Sequence, residues 1–200
     1  MRRAAPLLCL LAVAAAPAYG QESTTRIRGT IVSLEGNLLT VATAAENRRV
    51  TLSDGFRVVT VVKSDLSKIG PGTYVGSAAI LQPDGTLRAR EVHIFPEAMR
   101  GTGEGHRPYD LGPQSTMTNG TVDASGPVES VGGQVLTLKY KDGEKKIVVS
   151  KDTPVVLYEL GDAKALVPGA HVYIIAQRAA DGGLSTARVT VGKNGLALPM

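Results

Sequence analysis

The sequence predicts an all-β protein: two tandem five-stranded barrels, each with one short helical turn, joined by an irregular linker. Three observations predict it. Displaced by 97 positions the chain matches itself, Gly29 falling on Gly126 (126 − 29) and Val92 on Val189, so one small unit is used twice. Apolar and polar residues alternate over short segments bounded by Gly, Pro, Asn and Asp, the period of strands with one buried face. Each unit carries a single stretch with helix start and stop signals.

The elements follow in order. In the first unit, residues 21–95, strands are predicted at Arg26 to Leu34, Asn37 to Thr43, Arg48 to Val62 with a kink near Asp54-Gly55, Thr73 to Leu81 and Leu87 to Phe95. Glu35-Gly36-Asn37 and Pro83-Asp84-Gly85-Thr86 supply turns. Ser64-Asp65 offers an N-cap, Leu66 and Ile69 an apolar edge, and Gly70-Pro71-Gly72 a stop, which makes one helical turn. The second unit, residues 121–200, repeats this plan with strands at Thr121 to Val131, Gln134 to Tyr140, Lys145 to Tyr158, Ala170 to Ala176 and Leu184 to Val191. Its helical turn spans Asp162 to Leu166 and ends at Val167-Pro168-Gly169. Three strands, a short helix and two strands is the order of an OB-fold barrel, in which closure removes most exposed edge; a small open sandwich or an SH3-like barrel would give a similar pattern.

Residues 1–20 have the layout of a secretory signal: Arg2 and Arg3, an apolar run from Ala4 to Ala16, then Pro17, Ala18 and Gly20. Cleavage before Gln21 is expected, giving a periplasmic or secreted protein. The apolar run is too short to span a bilayer, for which about 20 residues are needed, and no longer one follows. Cys9 is the only cysteine and leaves with the signal, so the mature chain has no disulfide and relies on packing. Loss of Arg2 and Arg3 lowers the formal charge from +4 to +2, a near balance that calls for no polyanionic partner.

The shared positions of the two units are turns and core, so candidate chemistry falls on the unduplicated linker, residues 96–120. Arg100, Glu104, His106, Arg107, Tyr109 and Asp110 lie there and form the candidate binding site, able to clasp the barrels or to present a ligand site at their junction. Alternation turns His93 and His171 outward, as isolated surface histidines. Met99, His106 and Met117 are the one conceivable soft metal-ligand set, of a kind that suits copper(I), although no spacing supports it. No cofactor is expected. Gly101-Thr102-Gly103-Glu104-Gly105 lacks the following helix that a phosphate-binding loop needs, because Pro108 interrupts it. Nucleic-acid binding is not expected, since the chain has no Trp and the first unit carries no aromatic on its second strand for base stacking. The basic hairpin of Lys139, Lys141, Lys145 and Lys146 reads as a solvated face. No Gly-x-Ser-x-Gly turn, His-Glu-x-x-His helix or cysteine nucleophile occurs, so an enzyme is not expected; a hydrolase would need Glu104, His106 and Asp110 gathered in one pocket.

The unit pattern Gly-x-Ile/Val-x-Ser-x-x-Gly-x-x-Leu-Thr-Val/Leu, the later Pro-Gly-x-x-Val and the closing Asp-Gly-x-Leu resemble bacterial exported OB-like domains of unknown function. The linker text from Arg100 to Asp110, with Ser115 to Asn119 and the tail from Val191 to Gly195, is similar to a subgroup that carries the label "metal ABC transporter permease". A permease needs several membrane spans and this sequence offers none, so the resemblance implies fold and export, and transfers no catalytic or metal-binding residue. The expectation is an exported, non-enzymatic binding or envelope-interaction module whose partner is an envelope protein or a small ligand. A periplasmic copper- or zinc-handling protein is the alternative, and an envelope-acting hydrolase the second.

Overall fold

The computed structural model describes residues 23–128 and 132–198, the side chain of Val128 excepted; the expected signal peptide lies outside the described residues. Twelve strands carry the fold: β1 (Ser23–Glu35), β2 (Leu38–Ala42), β3 (Asn47–Ser64), β4 (Tyr74–Leu81), β5 (Leu87–Ile94), β6 (Gly105–Pro108), β7 (Ser115–Val128), β8 (Gly133–Tyr140), β9 (Gly143–Val149), β10 (Val155–Gly161), β11 (His171–Arg178) and β12 (Leu184–Gly192). The expected helical turns are single 3-10 turns at Leu66–Lys68 and Ala163–Ala165, capped by Asp65 and Asp162, whose carboxylates accept from the amides of Ser67 and Lys164. Elements 97 positions apart share bounds: β4 and β11 begin at 74 and 171, β5 and β12 at 87 and 184.

Pairing takes an unexpected course. β1, β2 and β3 form an antiparallel meander, β1 then pairs with β11, β11 with β12, and β12 lies parallel to β3, which closes a five-stranded barrel. Three of its strands come from the first part of the chain and two from the last, so the barrel draws on both 21–95 and 121–200. Its core shows the same mixture, with Ile31, Leu39, Val41 and Val50 packed among Val172, Ile174, Ala176 and Val189. The further strands β5, β4, β7, β8 and β9 pair in that order, and β9 returns to lie parallel to β5 at Leu87↔Ile147 and Arg88↔Val148. Val75, Val92, Val122, Leu136, Leu138 and Ile147 fill the core between them. Between the two groups, β10 joins the far half of β3 antiparallel and β5 in parallel. There a third cluster forms from Val59, Val61, Tyr74, Phe95, Val156, Tyr158 and Tyr173, with Leu196 and Leu198 resting on it.

Three sequence expectations need correction. The gapless 97-residue register fails at β1 and β7. Gly29 pairs with Val172 and Gly120 with Val75, so Gly120, 91 positions on (120 − 29), takes the place of Gly29 and Gly126 does not. A Cβ at Gly29 would strike the carbonyl of Ala42, and one at Gly120 the carbonyl of Lys139, so each strand needs glycine where its neighbour approaches closely. Gly126 has open space around it. The linker is also not irregular throughout: β6 lies within it and β7 begins at Ser115, because the free edge of β4 pairs with residues 115–121. The expected strand from Lys145 to Tyr158 is two strands, broken between β9 and β10 at a turn that Ser150 and Thr153 stabilise by mutual hydrogen bonds.

Candidate functional site

The linker is bound down residue by residue. Asp110 accepts two hydrogen bonds from the Arg28 guanidinium, both 2.8 Å, and Arg26 lies 3.9 Å away. Tyr109 inserts beside them: its ring lies 5.1 Å from the Arg26 guanidinium and 5.7 Å from that of Arg28, and its hydroxyl donates to Tyr173 at 3.3 Å. The bidentate bond to Arg28 holds the Asp110 carboxyl below its usual range and raises Arg28, while burial raises the Tyr109 hydroxyl. Arg100 pairs with Glu97 at 2.6 Å and donates to the Gly72 carbonyl and to Thr121 Oγ1. Glu104 accepts from the Lys141 amide, and His106 Nδ1 lies 2.8 Å from Thr118 Oγ1, with burial lowering the imidazole pKa. Arg107 donates to the Gly103 carbonyl. Tyr109 and Asp110 thus tie the linker to the closed barrel, whereas Arg100, Glu104 and His106 tie it to the strands around β7 and β8.

Beneath this strap lies a cavity of about 730 Å³. Its floor comes from the outward residues of β1, β3, β11 and β12, its roof from Thr102, Gly103, Arg107 and Tyr109, and its far wall from His93, Phe95, Asn119 and Tyr158. Two arginines stand on the floor, Arg57 on β3 and Arg188 on β12, directly opposite one another in the parallel register. Among the described residues neither they nor Arg107 has an ion-pair partner, and no carboxylate lines the cavity. Adjacent like charges on paired strands repel, so this arrangement raises the local positive potential and carries a standing cost.

The far wall is built differently. His93 is 3 % exposed and Glu91 fully buried, the reverse of the outward, isolated histidine that alternation predicts. Tyr158 of the neighbouring strand β10 and the rest of the third cluster pack on the second face of β5, so a strand read as half-exposed is buried on both sides. Glu91 Oε1 sits 3.2 Å from His93 Nδ1; against a carboxylate, which can only accept, that nitrogen carries the proton. The ring stacks on Tyr158 at 4.9 Å and 6° and meets the Phe95 ring edge-on. Gly76 makes room for it, since a Cβ there would collide with His93 Nε2. Beside it Asn119 donates through Nδ2 to the Thr102 carbonyl at 3.0 Å, which fixes the amide orientation and leaves Oδ1 buried without a partner.

The other sequence candidates do not converge. Met99 is packed in the third cluster, and strand alternation sets Met117 on the face of β7 opposite to Thr118 and its partner His106. Among the described residues no group of three or more His, Cys, Asp or Glu could hold a metal. Glu104 and His106 share a small pocket with Tyr140 and Asp142, but Asp110 is engaged with Arg28 elsewhere. A second groove, of about 820 Å³, runs past His106, Lys145, Lys146, Leu81 and Val135. It is slightly larger, yet its lining gathers fewer polar groups toward one point than the junction cavity does.

Sequence reasoning missed Arg57, Arg188, Glu91, His93 and Asn119. A signal was present: 97 positions apart, Glu91 corresponds to Arg188 and His93 to Thr190, changes of charge and chemistry at matched positions in or beside the cavity. No family model, curated protein or solved structure matches the chain.

Proposed function

We propose that this protein is an exported, non-enzymatic binding module built from an internal repeat, whose two copies form OB-like barrels that exchange their last two strands. The symmetry of the pairings supports the exchange. The Gly72 amide donates to the Val122 carbonyl and the Val122 amide to Thr73, while the Gly169 amide donates to Ile31 and the Ile31 amide to Ala170, the same two bonds made reciprocally. In each case the donor strand belongs to the other half of the chain. Export rests on the N-terminal pattern of Arg2, Arg3 and the apolar run after them.

The ligand site in this reading is the junction cavity, and one observation carries it: Arg57, Arg107 and Arg188 face a carboxylate-free cavity, roofed by a strap that Asp110, Tyr109 and Arg100 hold in place. Cavities of roughly 300–1,000 Å³ with a few converging polar groups are the usual form of small-molecule sites. The linker residues Arg100, Tyr109 and Asp110 then serve as clasp, with Arg107 and the Tyr109 ring facing the ligand. No catalytic motif stands in the sequence and the candidate residues Glu104, His106 and Asp110 do not share one pocket, so in this reading the bound molecule is released unchanged.

A thermal-shift screen of the mature protein against a panel of small metabolites tests this. The expected result is stabilisation of the wild type by some compounds, lost in the Arg57→Ala/Arg188→Ala double variant, with the compound recovered intact. Equal stabilisation of both proteins, or none across the panel, would overturn it.

A further inference from the structure

Resting on that reading of the junction cavity, we infer that the ligand is an acidic sugar, a pyranose bearing a carboxylate or phosphate group. Three features of the cavity ask for three parts of one molecule. Arg57 and Arg188 stand opposite each other on β3 and β12, both solvent-exposed and neither ion-paired among the described residues. An anionic group between them relieves their repulsion and accepts charge-assisted hydrogen bonds from two planar donors, with Arg107 above as a third cation.

The far wall asks for the opposite. Asn119 is 4 % exposed and its Oδ1 has no partner, in an orientation fixed by the bond from Nδ2 to Thr102. His93 gives its Nδ1 to Glu91, which leaves Nε2 as the ring's remaining polar atom, beside Gly76 and close to Asn119 Oδ1. A buried acceptor without a donor is costly, and hydroxyl groups of a ligand are donors of the right kind. A plain carboxylate or inorganic phosphate would satisfy the arginines and leave this wall unserved; a neutral sugar would do the reverse.

The third feature is apolar. Phe95, Tyr158 and Tyr173 line the same cavity, and the apolar ring surface they expose to it can meet the C–H groups of a pyranose. A volume of about 730 Å³ accommodates a monosaccharide with its charged substituent.

Isothermal titration calorimetry on the mature protein tests the inference with glucuronate and glucose 6-phosphate as acidic sugars, and glucose, acetate and inorganic phosphate as their separated parts. The expected result is binding of one or both acidic sugars at least ten-fold tighter than any separated part. Arg57→Ala and Arg188→Ala, both at exposed positions, should each weaken that binding at least ten-fold without changing thermal stability. Glucuronate against glucose 6-phosphate tells which anionic group the arginines take. Equal affinity for acetate or phosphate would overturn the sugar while leaving a ligand-binding cavity in place. Binding of neutral or apolar compounds, indifferent to both arginine substitutions, would overturn the anion. Failure of the wider metabolite screen removes the binding-module reading itself, and with it this one.

Discussion

β11 and β12 contribute the floor of the cavity and β5 contributes His93 to its far wall, and β11 and β12 stand 97 positions from β4 and β5, strand for strand. On the first two strands stand Tyr173, Arg188 and Thr190; on the second two, Gly76, Glu91 and His93. Arg188 is open to solvent, whereas Glu91 is sealed at 0 % exposure with His93 stacked over Tyr158. Similar strands thus carry an exposed arginine in one place and a buried, hydrogen-bonded Glu91–His93 pair in the other, depending on what covers them.

The sharpest way to break this comparison is to truncate both members of one pair. Glu91→Ala leaves His93 unpaired in the core and should cost about 3–5 kcal/mol in urea denaturation, whereas Arg188→Ala should change stability by no more than about 0.5 kcal/mol. Equal effects would make the two positions alike in role. Ile174→Ala should cost about 2–5 kcal/mol, as core truncations do. It should also lower amide-exchange protection in β1 and β2, which lie in the other half of the chain; unchanged protection there would contradict the shared barrel core.

Gly76→Ala sharpens the comparison from the other side. The added methyl meets His93 and Asn119, and overpacking of this kind costs about 1–3 kcal/mol. The smallest effect is on the strap. Asp110 is held below the ordinary carboxylate value of 3.8 by its bond to Arg28, so its contribution is present above that value and is lost as pH falls through the lowered one. The wild type should therefore lose up to about 1 kcal/mol below pH 3.8 that Asp110→Asn never had, read as converging acid-unfolding curves. Tyr74 gives the alkaline counterpart: burial pushes its hydroxyl from 10 up to about 12, so stability is full below pH 10 and declines as pH rises toward 12.

Local pattern made much of the fold legible. Residues 87–90 alternate, Pro71-Gly72 and Pro168-Gly169 stop the helical turns, and Gly72 and Gly169 both adopt φ of +86° there. The start of β7 was hidden because Ser115, Thr118 and Asn119 are polar yet buried, each paying for burial with a hydrogen bond to linker residues Tyr109, His106 or Thr102. Hydrophobic alternation cannot register such positions. Of the candidate linker residues, Arg107 and Tyr109 reach the cavity roof, while Arg100, Glu104 and Asp110 act as ties.

What the sequence by itself determined is the class of most local elements, β6, the start of β7 and the break between β9 and β10 excepted: short strands, glycine and proline turns and two capped 3-10 turns. Which strands become neighbours was decided only in three dimensions. β4 and β11 present nearly the same edge to β1 and β7, with Val75 on Gly120 and Val172 on Gly29, so pairing energy hardly distinguishes partner from counterpart. The continuous run of β3 past its own barrel onto β10, together with the strap that follows β5, sets the connectivity, and that choice gathers Arg57, Arg188, His93 and Asn119 around one cavity.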